Sequence, residues 1–260
     1  MEKFNESEIK YLAGLLDADG VLSFQFVDKA CYLNLQLDAS ESIDKHGYID
    51  SLSNKMGNVS IRTWEDKNWS PSHYWRLYSS KDINMFIPRV VKHMVIKGKH
   101  WNNLYNKWLE VKGRRLSDSE IDFLKEFSKQ SRLDAGPIKS KNHPTWAWVA
   151  GYLDGDGCYS FRKHSNPETK NAMVLNIAAV CEEHDRVGID LLYKAFGGSI
   201  RKEKNWIRWK RNLGAKDSSF AIRFLRRVCN HSRLKKWKIE QMLSYHNNRL
   251  QRLSKNNSTE

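Results

Sequence analysis

The chain has little that would tie it to a membrane or to an oxidising compartment. No apolar run in its 260 positions approaches the roughly 20 residues that cross a bilayer. Glu2, Glu6 and Glu8 stand where a secretory leader would carry basic and then apolar residues. Cysteine is scarce, and Cys31, Cys158, Cys181 and Cys229 are widely scattered with no C-x-x-C pair. That spacing speaks against a zinc site and for a reducing, intracellular setting, with the cysteines serving as small buried hydrophobes. A Walker-type phosphate loop and an H-E-x-x-H helix are also absent. Acidic residues are in deficit, with 30 Asp and Glu against 44 Lys and Arg, a formal charge of +14 and a pI near 9.6. Such a balance calls for a polyanionic partner. The excess is uneven: residues 1–112 hold 15 basic and 14 acidic side chains, 113–145 hold 7 and 5, and 146–260 hold 22 and 11. Ten tryptophans in so polar a chain, with a mean hydropathy of −0.69, indicate a packed globular protein rather than a disordered basic tail.

What the chain does have is a duplication. The string Leu12-Ala13-Gly14-Leu15-Leu16-Asp17-Ala18-Asp19-Gly20 returns 137 positions later as Val149-Ala150-Gly151-Tyr152-Leu153-Asp154-Gly155-Asp156-Gly157. Ser23-Phe24 and Ser160-Phe161 follow at the same offset. Ser60-Ile61-Arg62 matches Ser199-Ile200-Arg201 at an offset of 139, and Lys97-Gly98-Lys99-His100-Trp101 faces Arg233-Leu234-Lys235-Lys236-Trp237 at 136. Order kept with a drifting offset is the mark of two copies of one unit separated by loop insertions. The units span 1–112 and 146–260, joined by a linker at 113–145, with 252–260 expected to be a disordered tail.

Each unit reads as a helix, two strands, a helix, two strands and C-terminal helices. The first helix spans 6–18, capped by Asn5, and its counterpart spans 144–155, with Pro144 in the first turn. The strands are expected at 20–28, 31–38, 58–65 and 73–79, then at 157–164, 172–180, 199–204 and 206–211. The remaining helices are expected at 41–56, 81–95 and 99–112, then at 182–196, 217–230 and 234–250. Within the linker, Ser117-Asp118-Ser119-Glu120 is a capping box for an amphipathic helix.

The acidic strings end their helices, where carboxylates are unfavourable because a helix C-terminus carries about half a negative charge. The small residues Ala13-Gly14 and Ala150-Gly151 would let the two motif helices pack closer than the usual 8–10 Å or so. That packing brings Asp19 and Asp156 together, and a divalent cation with oxygen ligands, Mg²⁺ above all, would relieve the repulsion. An isolated Asp-Gly is only a turn signal. An EF-hand is a poor alternative, since Val21 and Cys158 fall at its third ligand position.

At these residues the sequence resembles the LAGLIDADG homing endonucleases in their single-chain, two-motif form, over about residues 4–250. The resemblance implies an α+β fold: αββαββα units related by a pseudo-twofold axis and packed at the motif helices. Two four-stranded antiparallel sheets then form a saddle over the DNA major groove. It implies a monomeric enzyme of intron homing that hydrolyses both strands of a long asymmetric double-stranded DNA site, leaving staggered ends with 3′ overhangs. It implies that Asp19 and Asp156 bind catalytic Mg²⁺, with Mn²⁺ substituting and Ca²⁺ binding without cleavage. Asp17 and Asp154 are assigned to helix-end and interface structure. Lys97 and Lys235 are the expected catalytic basic residues, with Lys99 and Arg233 as competing neighbours. Gln36 is a candidate support for the first metal site, and nothing near 178–182 matches it. Bacterial, phage or organellar settings suit such an enzyme. Relatives that act as RNA maturases on intron RNA, or as non-cleaving DNA-binding regulators, are the alternatives.

Strand alternation nominates the DNA-reading side chains. They are Gln25, Arg62, Trp64, Lys67 and Arg76 in the first unit, and Arg162, Lys163, His164, Arg201, Lys202, Lys204, Arg208, Lys210 and Arg211 in the second. Arg reads guanine, Gln reads adenine and Lys meets mainly phosphate, with Trp206 and Trp209 lying between the basic residues of the second unit. The charge asymmetry implies that the second unit anchors while the first reads through neutral contacts.

Overall fold

The computed structural model describes residues 3–63, 70–134, 144–163, 173–182, 186–213 and 218–256. Of residues 161–163, 173–175, 212–213, 218–219, 221, 246 and 249–256 it describes the backbone alone. The first unit runs α1 (Glu6–Asp19), β1 (Val21–Val27), β2 (Ala30–Ser40), α2 (Tyr48–Ser53), β3 (Asn58–Arg62), β4 (Ser72–Leu77), α3 (Ser80–Val90) and α4 (Gly98–Val111). After the linker helix α5 (Asp118–Asp134), the second repeats the order. Its elements are α6 (Trp146–Gly155), β5 (Gly157–Lys163), β6 (Met173–Glu182), α7 (Val187–Phe196), β7 (Ser199–Glu203), β8 (Trp206–Leu213), α8 (Ser218–Cys229) and α9 (Lys236–Asn256). Each unit holds a four-stranded antiparallel sheet, in the orders β1-β2-β4-β3 and β5-β6-β8-β7. This is the expected duplicated α+β architecture.

Local chemistry explains most element ends. Asn5 accepts the Glu8 amide at 2.9 Å and starts α1. Ser117 and Glu120 close a reciprocal capping box at α5, with bonds of 2.8 and 3.2 Å. The helix α6 begins two residues later than expected, because the Thr145 hydroxyl rather than Pro144 caps it. The second helix of each unit is shorter than its apolar spacing suggested. In the first unit Asp44 accepts the Tyr48 and Ile49 amides at 2.7 Å each, and Gly47 turns left-handed just ahead of them, so α2 cannot begin at 41. In the second unit β6 continues to Glu182, where a helix start was expected. The helix α9 reaches Asn256, past the expected end at 250 and into the expected tail.

Helices cover one face of each sheet. Alternation along β2 buries Leu33, Leu35, Leu37 and Ala39 beneath them and leaves Asn34, Gln36, Asp38 and Ser40 on the other face. Trp75 and Trp209 hold equivalent places in the two cores. Both are fully buried, and their indoles donate to Met56 O at 2.6 Å and Gly197 O at 2.7 Å. The two units meet at α1 and α6, where Tyr11, Gly14, Leu15 and Ala18 lie against Trp148, Gly151, Tyr152 and Gly155. Here the glycines are essential. A Cβ on Gly14 would lie 2.0 Å from the Trp148 carbonyl oxygen, and one on Gly151 would lie 2.0 Å from that of Tyr11. Each helix therefore rests backbone to backbone on the other, and no side chain can yield to make room.

Gly14→Ala or Gly151→Ala should lower stability by about 2 kcal/mol or more, a fall in Tm of roughly 5 °C. Thermal denaturation measures it, and an unchanged melting curve would contradict the seam.

Candidate active site

The seam sets the two duplicated aspartates beside each other. Asp19 is the last residue of α1, and Asp156 directly follows α6. Across the interface the Asp19 carboxylate lies against Gly155, where an added Cβ would sit 2.8 Å from Oδ2. The structural equivalent of Gly155 is Ala18, and these two small residues also face each other, with that Cβ position 2.4 Å from the Ala18 Cβ. Small residues ahead of each aspartate are thus what permits the approach.

The other aspartate of each motif points inward. Asp17, 2 % exposed, accepts the amides of Val95 at 2.6 Å, Ile96 at 3.2 Å and Lys97 at 2.8 Å, and the Trp148 indole at 2.9 Å. Asp154, 1 % exposed, accepts the Ser232 hydroxyl at 2.7 Å, the amides of Arg233 at 2.8 Å and Leu234 at 3.0 Å, and the Tyr11 hydroxyl at 2.8 Å. Burial raises the pKa of both, and these donors oppose the rise. Each carboxylate is committed to fastening the segment that precedes its unit's last helix.

That segment ends in a lysine. Lys97 Nζ donates to the carbonyls of Ala18 at 2.8 Å, Gly20 at 3.0 Å and Leu16 at 3.4 Å. Lys235 Nζ donates to the matching carbonyls of Gly155 at 2.7 Å, Gly157 at 2.5 Å and Leu153 at 3.3 Å. Each ammonium therefore caps the C-terminus of a motif helix, satisfying orphan carbonyls and offsetting the negative dipole end. The geometry settles which residues correspond. The tryptophan-based offset had set Lys97 opposite Arg233, but Lys235 occupies the equivalent position.

Electrostatics at the seam follow from crowding. Asp156 is pushed up to about 7, first by burial and then by the charge of Asp19. Asp19 reaches solvent, yet the protein closing around its carboxylate raises its pKa, with Lys235 and Lys97 opposing and Asp38 adding to the rise. Burial lowers the pKa of Lys235, which is only 4 % exposed. A cleft of about 570 Å³ opens beside Asp19, lined by Asp38, Ser40, Ser72, Tyr74, Gly155 and Leu234 among others. Gln36 hydrogen-bonds to Asp38 in this region. The equivalent places on β6 hold Ala178 and Val180, so the first unit carries polar side chains that the second lacks. Among the described residues no group of three or more His, Cys, Asp or Glu side chains gathers in a metal-binding cluster.

Strand register sorts the nominated DNA contacts. Gln25 pairs with Tyr32, Arg76 with Gln36, and Arg62 with Ser72, so all three share the face that carries Asp38 and opens on the cleft. In the second sheet Arg201 pairs with Arg208 and Ser199 with Lys210, which puts Arg201, Arg208 and Lys210 on the corresponding face, with exposed Trp206. Arg208 also bridges to Glu203 at 3.1 Å. Four expectations need correction. Lys202 pairs with Ile207 and Arg211 with Ile177, both on the helix side, and the Arg211 guanidinium lies 5.1 Å from the Phe220 ring. Lys204 sits in the β7–β8 turn with a left-handed φ of 57°, off the strand. Trp209 is a core residue. Trp64, Lys67 and His164 lie outside the described residues, as do the side chains of Arg162 and Lys163 on β5. Sequence reasoning passed over Tyr11, Trp148 and Asp38. Tyr11 and Trp148 are themselves 137 positions apart, one residue before each motif string, and that offset was the available signal.

Between about pH 4 and pH 7, Asp156 is protonated in the folded chain and ionised in the unfolded one. The folded state then binds the extra proton, and stability falls as pH rises through this window. In urea denaturation from pH 4 to 8, Asp156→Asn should become progressively more stable relative to the parent up to about pH 7 and level off above it. Parallel curves would contradict the crowding.

Neither a family profile nor a curated protein matches the sequence. Solved structures do. The LAGLIDADG meganuclease I-CpaMI bound to uncleaved DNA superposes with a TM-score of 0.67 at 14 % identity, covering 95 % of this chain and 93 % of that one. I-SmaMI bound to cleaved DNA gives 0.62 at 18 % identity over 92 % and 87 %, and I-AabMI bound to uncleaved DNA gives 0.59 at 15 % over 92 % and 96 %. With its duplicated units, paired sheets and glycine seam, the chain has the fold of the single-chain LAGLIDADG meganucleases.

Proposed function

We propose that this protein is a member of the LAGLIDADG family that cuts both strands of a long, asymmetric double-stranded DNA site. The observation that carries the reading is the pair Asp19 and Asp156, forced together at one seam with Lys97 and Lys235 on either side. Two crowded carboxylates are a poor arrangement for a purely structural site and a good donor set for hard divalent ions. Asp19 and Asp156 would hold such ions, and water and phosphate oxygens would complete the set. Bound there, Mg²⁺ or Mn²⁺ supplies Lewis acidity and a more acidic water for phosphodiester hydrolysis. The two lysines hold each aspartate-bearing helix end in place and set positive charge beside the carboxylates. The sheet faces that carry Gln25 and Arg76 in one unit and Arg201, Arg208 and Lys210 in the other provide base and phosphate contacts. The neighbours of the same fold, I-CpaMI and I-SmaMI, were captured with DNA, and I-SmaMI also with an uncleaved target in calcium. A monomer acting inside a cell or organelle, leaving 3′ overhangs and serving intron homing, is part of the same reading.

A cleavage selection on a randomised duplex library should yield cut products with 3′ overhangs in Mg²⁺ and bound but uncut DNA in Ca²⁺. Asp19→Asn and Asp156→Asn should retain affinity within a fewfold and lose cleavage by at least about a hundredfold, as expected when a metal ligand is removed. Tight binding of a structured intron RNA with no DNA cutting would point instead to a maturase, and DNA binding without cutting in Mg²⁺ or Mn²⁺ to a regulator. Full cleavage by the double variant would refute the site.

A further inference from the structure

Resting on the endonuclease reading, we infer that each catalytic centre is held in position by the opposite repeat. Tyr11 is a positioning residue for the centre of Asp156 and Lys235, and Trp148 for the centre of Asp19 and Lys97. Each path is two sets of hydrogen bonds joined by the covalent chain of the lysine. From the first unit, the Tyr11 hydroxyl reaches across the seam to Asp154 Oδ2 at 2.8 Å. Asp154 holds the Arg233 and Leu234 amides, the next residue is Lys235, and Lys235 Nζ grips the carbonyls on either side of Asp156. The reverse path starts at the Trp148 indole, 2.9 Å from Asp17 Oδ2. It passes through the Ile96 and Lys97 amides to Lys97 Nζ and the carbonyls of Ala18 and Gly20, which flank Asp19.

Two features separate this from ordinary interface packing. The crossing bond occurs at both pseudo-equivalent positions, yet one donor is a phenol and the other an indole. What the two positions share is a donor aimed at the opposite buried carboxylate, whereas ring shape and size differ. Each carboxylate, moreover, spends its remaining acceptor capacity on the one segment that delivers the lysine. Losing the donor leaves a buried charge under-satisfied, and the strain falls on that segment. On the endonuclease reading each centre serves one DNA strand, and the two losses then have separable consequences.

The experiment follows both strands of one end-labelled cognate duplex in Mg²⁺. Tyr11→Phe removes a single oxygen and keeps the ring, and should slow cutting of one strand roughly tenfold, with nicked DNA accumulating and affinity unchanged. Trp148→Phe should slow the other strand. A buried variant at the start of α3, Ile83→Ala, whose amide bonds to Ser79 O and not to either path, controls for stability and should leave the ratio of the two strand rates at the parent value. If Trp148→Phe fails to fold, the strand ratio of Tyr11→Phe decides alone. Equal slowing of both strands by Tyr11→Phe, or none, overturns the inference. If the parent protein cuts neither strand, the endonuclease reading falls, and this inference with it.

Discussion

The structure depends on two missing side chains. With hydrogen at Gly14 and Gly151, α1 and α6 touch through their backbones, each glycine facing the carbonyl at the position before the opposite motif string. Dispersion between close-packed backbones and the burial of the flanking Leu, Val and Ala side chains hold the seam. Because both helices end at the same level, the contact that joins the units also fixes where their last carboxylates lie. The duplicated architecture and the candidate centre are consequences of one packing constraint.

Around that constraint the charges are arranged in layers. The inner aspartates, Asp17 and Asp154, are buried and fully engaged, and they tie each unit's last helix to its first. The lysines come next, neutralising the helix ends with three carbonyl contacts apiece. The outer aspartates, Asp19 and Asp156, sit at the two helix ends, where burial raises the pKa of both, with the charge of Asp19 adding to the rise at Asp156 and that of Asp38 to the rise at Asp19. This division of labour between two carboxylates two residues apart follows from helix geometry. Successive positions rotate by about 100°, so the first of the pair points under the neighbouring segment while the second emerges at the helix end. The surroundings are not symmetric. Gln36 and Asp38 in the first unit have Ala178 and Val180 as counterparts, so the two centres differ in the polarity that surrounds them.

Much of this was legible in the residues. The constant offset of 137 announced the duplication, the Ala-Gly pairs announced close helix packing, and the aspartate at each motif end announced the seam site. Register was harder to read. A basic strand such as Arg201-Lys202 or Lys210-Arg211 carries charge on successive residues, so charge alone does not say which residue of each pair faces outward. Pairing with Arg208 and Ile207, and with Ile177, decides it. Trp209 looked like a groove aromatic because its neighbours are basic, yet it fills the place of Trp75 in the second core. The correspondence of Lys97 with Lys235 was obscured by Trp101 and Trp237, which align at an offset of 136 while the lysines lie 138 apart. Trp237 donates to Ile43 O in the other unit. The shortened α2 depended on a side-chain cap from Asp44, a local bond that competes with helix extension.

Central to the account is that Asp19 and Asp156, each the carboxylate of its own centre, adjoin closely enough to hold divalent ions between them. Anomalous diffraction from crystals soaked in Mn²⁺, measured on both sides of the manganese absorption edge, tests this without any assumption about the DNA target. Anomalous density within coordination distance of both carboxylates, about 2.0–2.2 Å as for other hard-oxygen sites, is the result the account predicts. Density confined to other surfaces, with the two carboxylates bare at saturating manganese above pH 7, would contradict it.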